Sequence, residues 1–263
     1  MCIRDSCKVE LHSTVTGFGV SLLSGGLDST IVTSYATREV ECLNAITFEY
    51  GQTHVREIDC AKNIASVLKI NHKVIDISFV QNLSWYSSLT NPNEFKTPTK
   101  RPETEISENI PITYVPLRNT IFLSLGAAAL ESEVLNAIEN KQIDASTISA
   151  KLFMAPNAID YSGYPDCRPE FFDSAINTIN LGSKLSTEYN VNIEIVTPII
   201  QKTKAEIIQW GMKLNSPIEL TWSCYGAGNT PCNHCDSCIL RARGFAELGI
   251  QDPTLGDMKN DIK

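Results

Sequence analysis

Residues 17–33 read G-F-G-V-S-L-L-S-G-G-L-D-S-T-I-V-T. An apolar run, a glycine pair and then an apolar face at helical spacing dictate a strand, a tight turn and a helix with nothing between them. The run 17–23 predicts a buried strand, and Leu27, Ile31, Val32 and Tyr35 predict one face of the helix that follows. The same alternation continues down the chain. Strands are expected at 42–50, 72–78, 151–155 and 192–199, and helices at 53–69, 118–139, 168–189 and 203–215. Strands alternating with helices imply an α/β fold, an open parallel five-stranded sheet with helices on both faces. Residues 90–116 hold Pro92, Pro98, Pro102, Pro111 and Pro116 and read as a long loop of the functional or mobile kind. Residues 136–150 read as an insertion ahead of the fourth strand.

Residues 1–16 are mixed polar and charged, with no apolar signal core. They are expected to be a disordered or artefactual extension, leaving 17–263 as a single domain. Without a secretory signal the cysteines imply the cytoplasm rather than a disulfide framework. No apolar run approaches the roughly 18 residues of a membrane span. A net charge of −8 disfavours a sequence-independent grip on nucleic acid.

In an open parallel sheet, ligands sit beyond the carboxyl ends of the strands, where S-G-G-L-D-S-T falls. Gly25 and Gly26 let the backbone approach an anion. Ser24, Ser29 and Thr30 add hydroxyl donors, and the helix amides face outward. The turn is a phosphate cradle, yet it has neither the lysine of a P-loop nor a dinucleotide fingerprint. A carboxylate beside phosphates would repel them, so Asp28 is expected to hold Mg²⁺. The blander reading is an N-cap and a first-turn acid.

Near the other end, Cys224, Cys232, Cys235 and Cys238 lie within one short segment, two C-x₂-C steps sharing a cysteine. Four thiolates suit a structural Zn²⁺ with no open position, expected within a segment 220–245, and they also suit an iron–sulfur cluster. His234 lies between the ligands and is expected on the surface.

The stretch SGGLDS after the first strand resembles the signature of the PP-loop ATP pyrophosphatases, which cleave ATP between its α and β phosphates. Y-G-Q-T-H (50–54), V-P-L-R-N (115–119), D-Y-S-G-Y-P-D-C-R (160–168) and the cysteine segment follow in order. Together these resemble the 7-cyano-7-deazaguanine synthase family, of queuosine and archaeosine biosynthesis, from about residue 17 to about residue 245. The resemblance implies conversion of 7-carboxy-7-deazaguanine, ammonia and ATP to the nitrile through adenylated intermediates. The small molecules would be the partners, with no direct nucleic acid, no membrane and a possible homodimer.

On this reading Leu23, Ser24, Gly25, Gly26, Leu27, Asp28, Ser29, Thr30, Ile31, Val32 and Thr33 form the ATP-binding stretch. Asp28, Arg118, Asp166 and Arg168 carry the catalytic charges. Arg118 would neutralise the α-phosphate, Asp166 accept from the ring NH groups, and Arg168 pair with the substrate carboxylate. Tyr50, Gln52, His54, Asn119, Asp160, Tyr161 and Tyr164 would complete the substrate site, and Cys167 would shape the pocket rather than act as a nucleophile. Leu117 and Ala155-Pro156 depart from the family pattern, which has a small residue beside the arginine and a glycine-containing pair before Asn157. The competing readings are an ATP pyrophosphatase that thiolates or amidates a tRNA base, and a non-enzymatic zinc adaptor.

Overall fold

A computed structural model describes residues 15–51, 55–98, 110–158, 164–226, 228 and 230–255. Strands β1 (Thr16–Leu22), β2 (Cys42–Glu49), β3 (Asn71–Asp76), β4 (Ile148–Phe153) and β5 (Ile193–Val196) form one sheet in the order β3-β2-β1-β4-β5. All four pairings are parallel. Thr16, assigned by sequence to the extension, begins β1 and pairs with Ile148.

β1 shows why two layers of helix can close on this sheet. Phe18, Val20 and Leu22 alternate with Gly17, Gly19 and Ser21. The large residues pack under α4 (Arg118–Glu139), α5 (Pro169–Gly182) and α6 (Lys184–Tyr189). The small ones admit the opposite layer: a Cβ on Gly19 would sit 2.8 Å from Val40 Cγ2. There α1 (Leu27–Glu39) and α7 (Lys204–Lys213) share a core around Ile31, Phe153, Ile207 and Ile208. α2 (Val55–Leu68) packs Ala61, Ile64 and Ala65 against Leu23 and Ala45. By length and composition α4 could cross a membrane, with a mean hydropathy of 1.4. Its stripe of Leu123, Ala127, Leu130, Val134 and Ala137 is instead buried against the sheet.

The single helix expected over 168–189 is two helices. Ser183 is extended (φ −93°, ψ 131°) and its hydroxyl caps α6. Glu131 of α4 accepts from the Ser183 hydroxyl at 2.8 Å and from the Leu185 amide at 3.1 Å, which pins the break. β4 begins at Ile148, so the tail of the supposed insertion is strand, preceded by a 3₁₀ turn over Ala145–Thr147. After β3 comes the short α3 (Val80–Leu83). The two described flanks of the proline-rich loop are tied together by Ser84 Oγ to Pro116 O (3.0 Å) and Ser88 N to Ile112 O (2.9 Å).

Candidate active site

The sheet order reverses between β1 and β4, so a crevice opens at their carboxyl ends. The S-G-G-L-D-S-T turn lies in it. Gly25 is left-handed (φ +87°), and its carbonyl accepts from the Trp222 amide at 2.9 Å. Ser24 and Ser29 join their hydroxyls at 2.9 Å, and the Ser24 amide donates to Ser29 Oγ at 3.1 Å. Leu23, Ser24, Gly26, Leu27, Asp28 and Ser29 line the crevice. The rest of the expected ATP-binding stretch turns inward. Thr30 donates back to Gly26 O at 2.7 Å, Thr33 to Ser29 O at 2.7 Å, and Ile31 and Val32 are core residues. They hold the turn and do not face the cavity.

The crevice consists of two cavities. The larger, about 250 Å³, is walled by Phe48, Tyr50, Phe122, Met154, Arg118 and Asn119. The smaller, about 190 Å³, runs past Gly26 and Lys204 to Trp222 and Arg241. Ser24, Asp28, Ser29, Glu57, Ala155 and Tyr225 border both. Lys204 places its ammonium 2.8 and 2.7 Å from the two oxygens of Asp28. A cation of the protein therefore already sits where sequence placed Mg²⁺. Glu57 reaches the same junction from the first turn of α2. It is half-buried, and burial pushes its carboxyl up to about 7 against the pull of Arg118.

Arg118 opens α4 and donates to the Tyr50 hydroxyl at 3.3 Å. Burial works against its charge, but Tyr50, Tyr164, Asp166 and Cys167 around it hold its pKa above the ordinary value. The Tyr164 hydroxyl lies 2.7 Å from that of Thr113, and burial pushes it up to about 12, so it stays protonated. Cys167 is pushed up to about 11, chiefly by burial, which removes it as a thiolate nucleophile. Asp166 and Arg168, expected on the substrate, lie outside both cavity linings. Asp166 is buried, accepts from the Asn119 amide at 3.2 Å, and lies outside the cavity lining: it anchors the start of α4. The Asn119 amide group donates to the Asp166 carbonyl at 2.8 Å, closing the pair. Arg168 is exposed at the start of α5 and also lines neither cavity. Gln52, His54, Asp160 and Tyr161 lie outside the described residues.

The four clustered cysteines converge, their sulfurs all within 4.8 Å of one another. A tetrahedral ion with bonds of about 2.3 Å needs sulfurs about 3.8 Å apart, which this arrangement accommodates. Gly226 N and Cys232 N donate to Cys224 Sγ at 3.2 and 3.3 Å, and Cys235 N to Cys232 Sγ at 3.3 Å, as suits thiolate ligands. The Cys238 hydrogen bond lowers the Cys235 thiol to about 5 and raises Cys238 itself. Cys235 immediately precedes α8 (Asp236–Glu247) in extended conformation, without a side-chain capping bond. Trp222 packs on the cluster, and Arg56 of α2 lies 4.0 Å over its ring.

Residues 19–249 match the family described as queuosine biosynthesis protein QueC. The chain belongs to the QueC family. Among the most similar relatives are proteins named 7-cyano-7-deazaguanine synthase. That of Trichodesmium erythraeum is 44% identical, over 90% of this chain and 99% of its own. That of Thermoplasma acidophilum is 42% identical, over 89% and 90%. That of Syntrophus aciditrophicus is 42% identical, over 90% and 96%.

Two features of this QueC member now have physical explanations. Leu117, expected to be small, has a left-handed backbone (φ 56°, ψ 19°) and a 61% exposed side chain. Such a conformation suits glycine, and leucine adopts it at a cost of about 1–2 kcal/mol. Ala155 and Pro156 wall the larger cavity without removing a polar group. Sequence reasoning missed Lys204 and Glu57. Each had a signal: Lys204 lies inside a T-K-A-E capping box just past β5, and Glu57 lies a turn beyond Y-G-Q-T-H.

Proposed function

We propose that this QueC-family chain converts 7-carboxy-7-deazaguanine, ammonia and ATP into 7-cyano-7-deazaguanine through adenylated intermediates. The observation that carries the reading is the pair of cavities meeting at the phosphate turn. One cavity is apolar and aromatic with a half-buried arginine, and the other is lined by Lys204, Asp28 and the glycine turn. Family membership and the shared name of the relatives select the substrate.

The planar acid enters the larger cavity, where Tyr50, Phe48 and Phe122 offer flat faces. ATP lays its leaving pyrophosphate along Gly26, Ser24 and Lys204, and its α-phosphate at the junction. The carboxylate attacks that phosphorus, the bond to pyrophosphate breaks, and Arg118 offsets the negative charge that gathers there. Ammonia then displaces AMP to give the amide. A second ATP activates the amide oxygen, and loss of AMP leaves the nitrile. Mg²⁺ would arrive on the nucleotide's phosphates, with Asp28 the carboxylate of the turn within reach. Cys224, Cys232, Cys235 and Cys238 would hold Zn²⁺. With all four ligands from the protein, the ion's role would be structural.

The geometry also supports the small-molecule reading over nucleic acid binding. Arg241, beside the cysteines, is buried and bound by Asp252 through both carboxylate oxygens at 2.5 and 2.9 Å. The test is direct: incubate purified protein with ATP, ammonium and the acid, and follow products by mass spectrometry. Nitrile with AMP is expected. Turnover of ATP only when tRNA is added, or none at all, overturns the reading.

A further inference from the structure

We infer that Glu57 is the catalytic base that takes the proton from incoming ammonium, delivering ammonia to the adenylated acid. The inference deepens the function proposed above and rests on it. Two carboxylates border both cavities, Asp28 and Glu57. Asp28 is held by the Lys204 ammonium at 2.7 Å. The Glu57 carboxyl is held by no hydrogen bond among the described residues. Burial and the charge of Arg118 set its affinity for a proton.

The surroundings match that task. Arg118 faces Glu57 from α4, Tyr50 faces it from the end of β2, and Cys60 follows one turn along α2. The Asp28–Lys204 pair lies across the junction. The neighbouring Arg56 is drawn away over the Trp222 ring. Burial raises the carboxyl to about 7, close to working pH, where a base is most effective. The position is fixed by the fold, because the Glu57 carbonyl packs on Gly25 of the phosphate turn.

The step balances. Ammonium gives one proton to the Glu57 carboxylate and becomes ammonia. The nitrogen lone pair attacks the acyl carbon, forming the C–N bond. The C–O bond to AMP breaks, its electron pair leaving on the phosphate oxygen. The surplus proton on nitrogen passes to the departing AMP. Glu57 then returns its own proton to solvent.

The test is Glu57→Gln, compared with wild type in three assays. Acid-dependent ATP–pyrophosphate exchange reads adenylation alone. Amide formation from ammonium reads the proposed step. Hydroxamate formation from hydroxylamine, which is largely unprotonated at neutral pH, bypasses it. The variant is expected to keep exchange and hydroxamate formation near wild-type rates and to lose amide formation by about 100-fold or more. Amide formation near the wild-type rate overturns the inference and leaves the proposed function standing. Loss of exchange, or of hydroxamate together with amide, also overturns it, because Glu57 would then serve adenylation or the fold. A wild-type protein with no acid-dependent exchange and no nitrile sinks the proposed function itself, and the inference with it.

Discussion

Adjacent glycines in the phosphate turn answer to different constraints, and substituting each by alanine should separate them. At Gly25 the backbone is left-handed (φ +87°). A Cβ there would stand 3.0 Å from the Ala61 amide nitrogen and inside contact distance of the Glu57 carbonyl oxygen, both backbone atoms of α2. The left-handed conformation costs alanine about 1–2 kcal/mol. Pushing a packed helix aside adds about 1–3 kcal/mol. A total of roughly 2–5 kcal/mol, at about 2–4 °C per kcal/mol for a domain this large, predicts a fall in Tm of roughly 4–20 °C for Gly25→Ala. Gly26 has φ −78°, which alanine adopts freely, and its Cβ would find Ser24 Oγ at 3.3 Å and Trp222 O at 3.6 Å. That space is the smaller cavity. Gly26→Ala should therefore change Tm by no more than about 2 °C while raising KM for ATP by about tenfold or more, because the methyl group occupies the path of the phosphates. Differential scanning calorimetry and ATP–pyrophosphate exchange provide the two readouts. Equal loss of stability in both variants, or an unshifted Tm in Gly25→Ala, would refute the argument.

Three further outcomes are expected. Glu57 carries a folded pKa raised to about 7, so its contribution to stability is present at low pH and is lost as pH rises through 7. Glu57→Gln should accordingly stabilise the ligand-free protein by up to about 3 kcal/mol at pH 8 and by much less at pH 5, which denaturant titrations at the two pH values will show. Lys204→Ala leaves the Asp28 carboxylate uncompensated beside the phosphates. KM for ATP in the exchange assay should rise by about 10- to 100-fold, and an unchanged KM would remove Lys204 from the phosphate site. Elemental analysis should find one zinc per chain. Cys224→Ser should lower Tm and weaken ATP binding together, since Trp222 bonds the Gly25 carbonyl beside the cluster. Iron in place of zinc would correct the metal assignment.

The sheet was readable because its central strands are buried on both faces and leave continuous apolar runs, as in 17–23. The turn and the cysteines were readable because their chemistry is local: all the residues that matter are close in sequence. What sequence hid is long-range. Lys204 lies 176 residues from the carboxylate it pairs with, and nothing near either residue names the other. The break at Ser183 is held by Glu131 from another helix. Asp166 sits in a motif full of polar residues, and only the fold shows that the start of α4 consumes its carboxylate. Arg168 follows it in the same motif, but the start of α5 leaves it in solvent.

The order β3-β2-β1-β4-β5 has a consequence for how the protein is made. Among the described strands β1 is made first, yet one of its flanks stays bare until β4 has been synthesised. The lysine facing the phosphate turn and the cysteines beneath it are encoded later still. Pairing of such distant segments is slow, and an uncovered strand edge invites association with other chains. Half-made chains should therefore be inert toward ATP and prone to stick, until β4 and β5 complete the sheet and the segment carrying Lys204 and the cysteines follows.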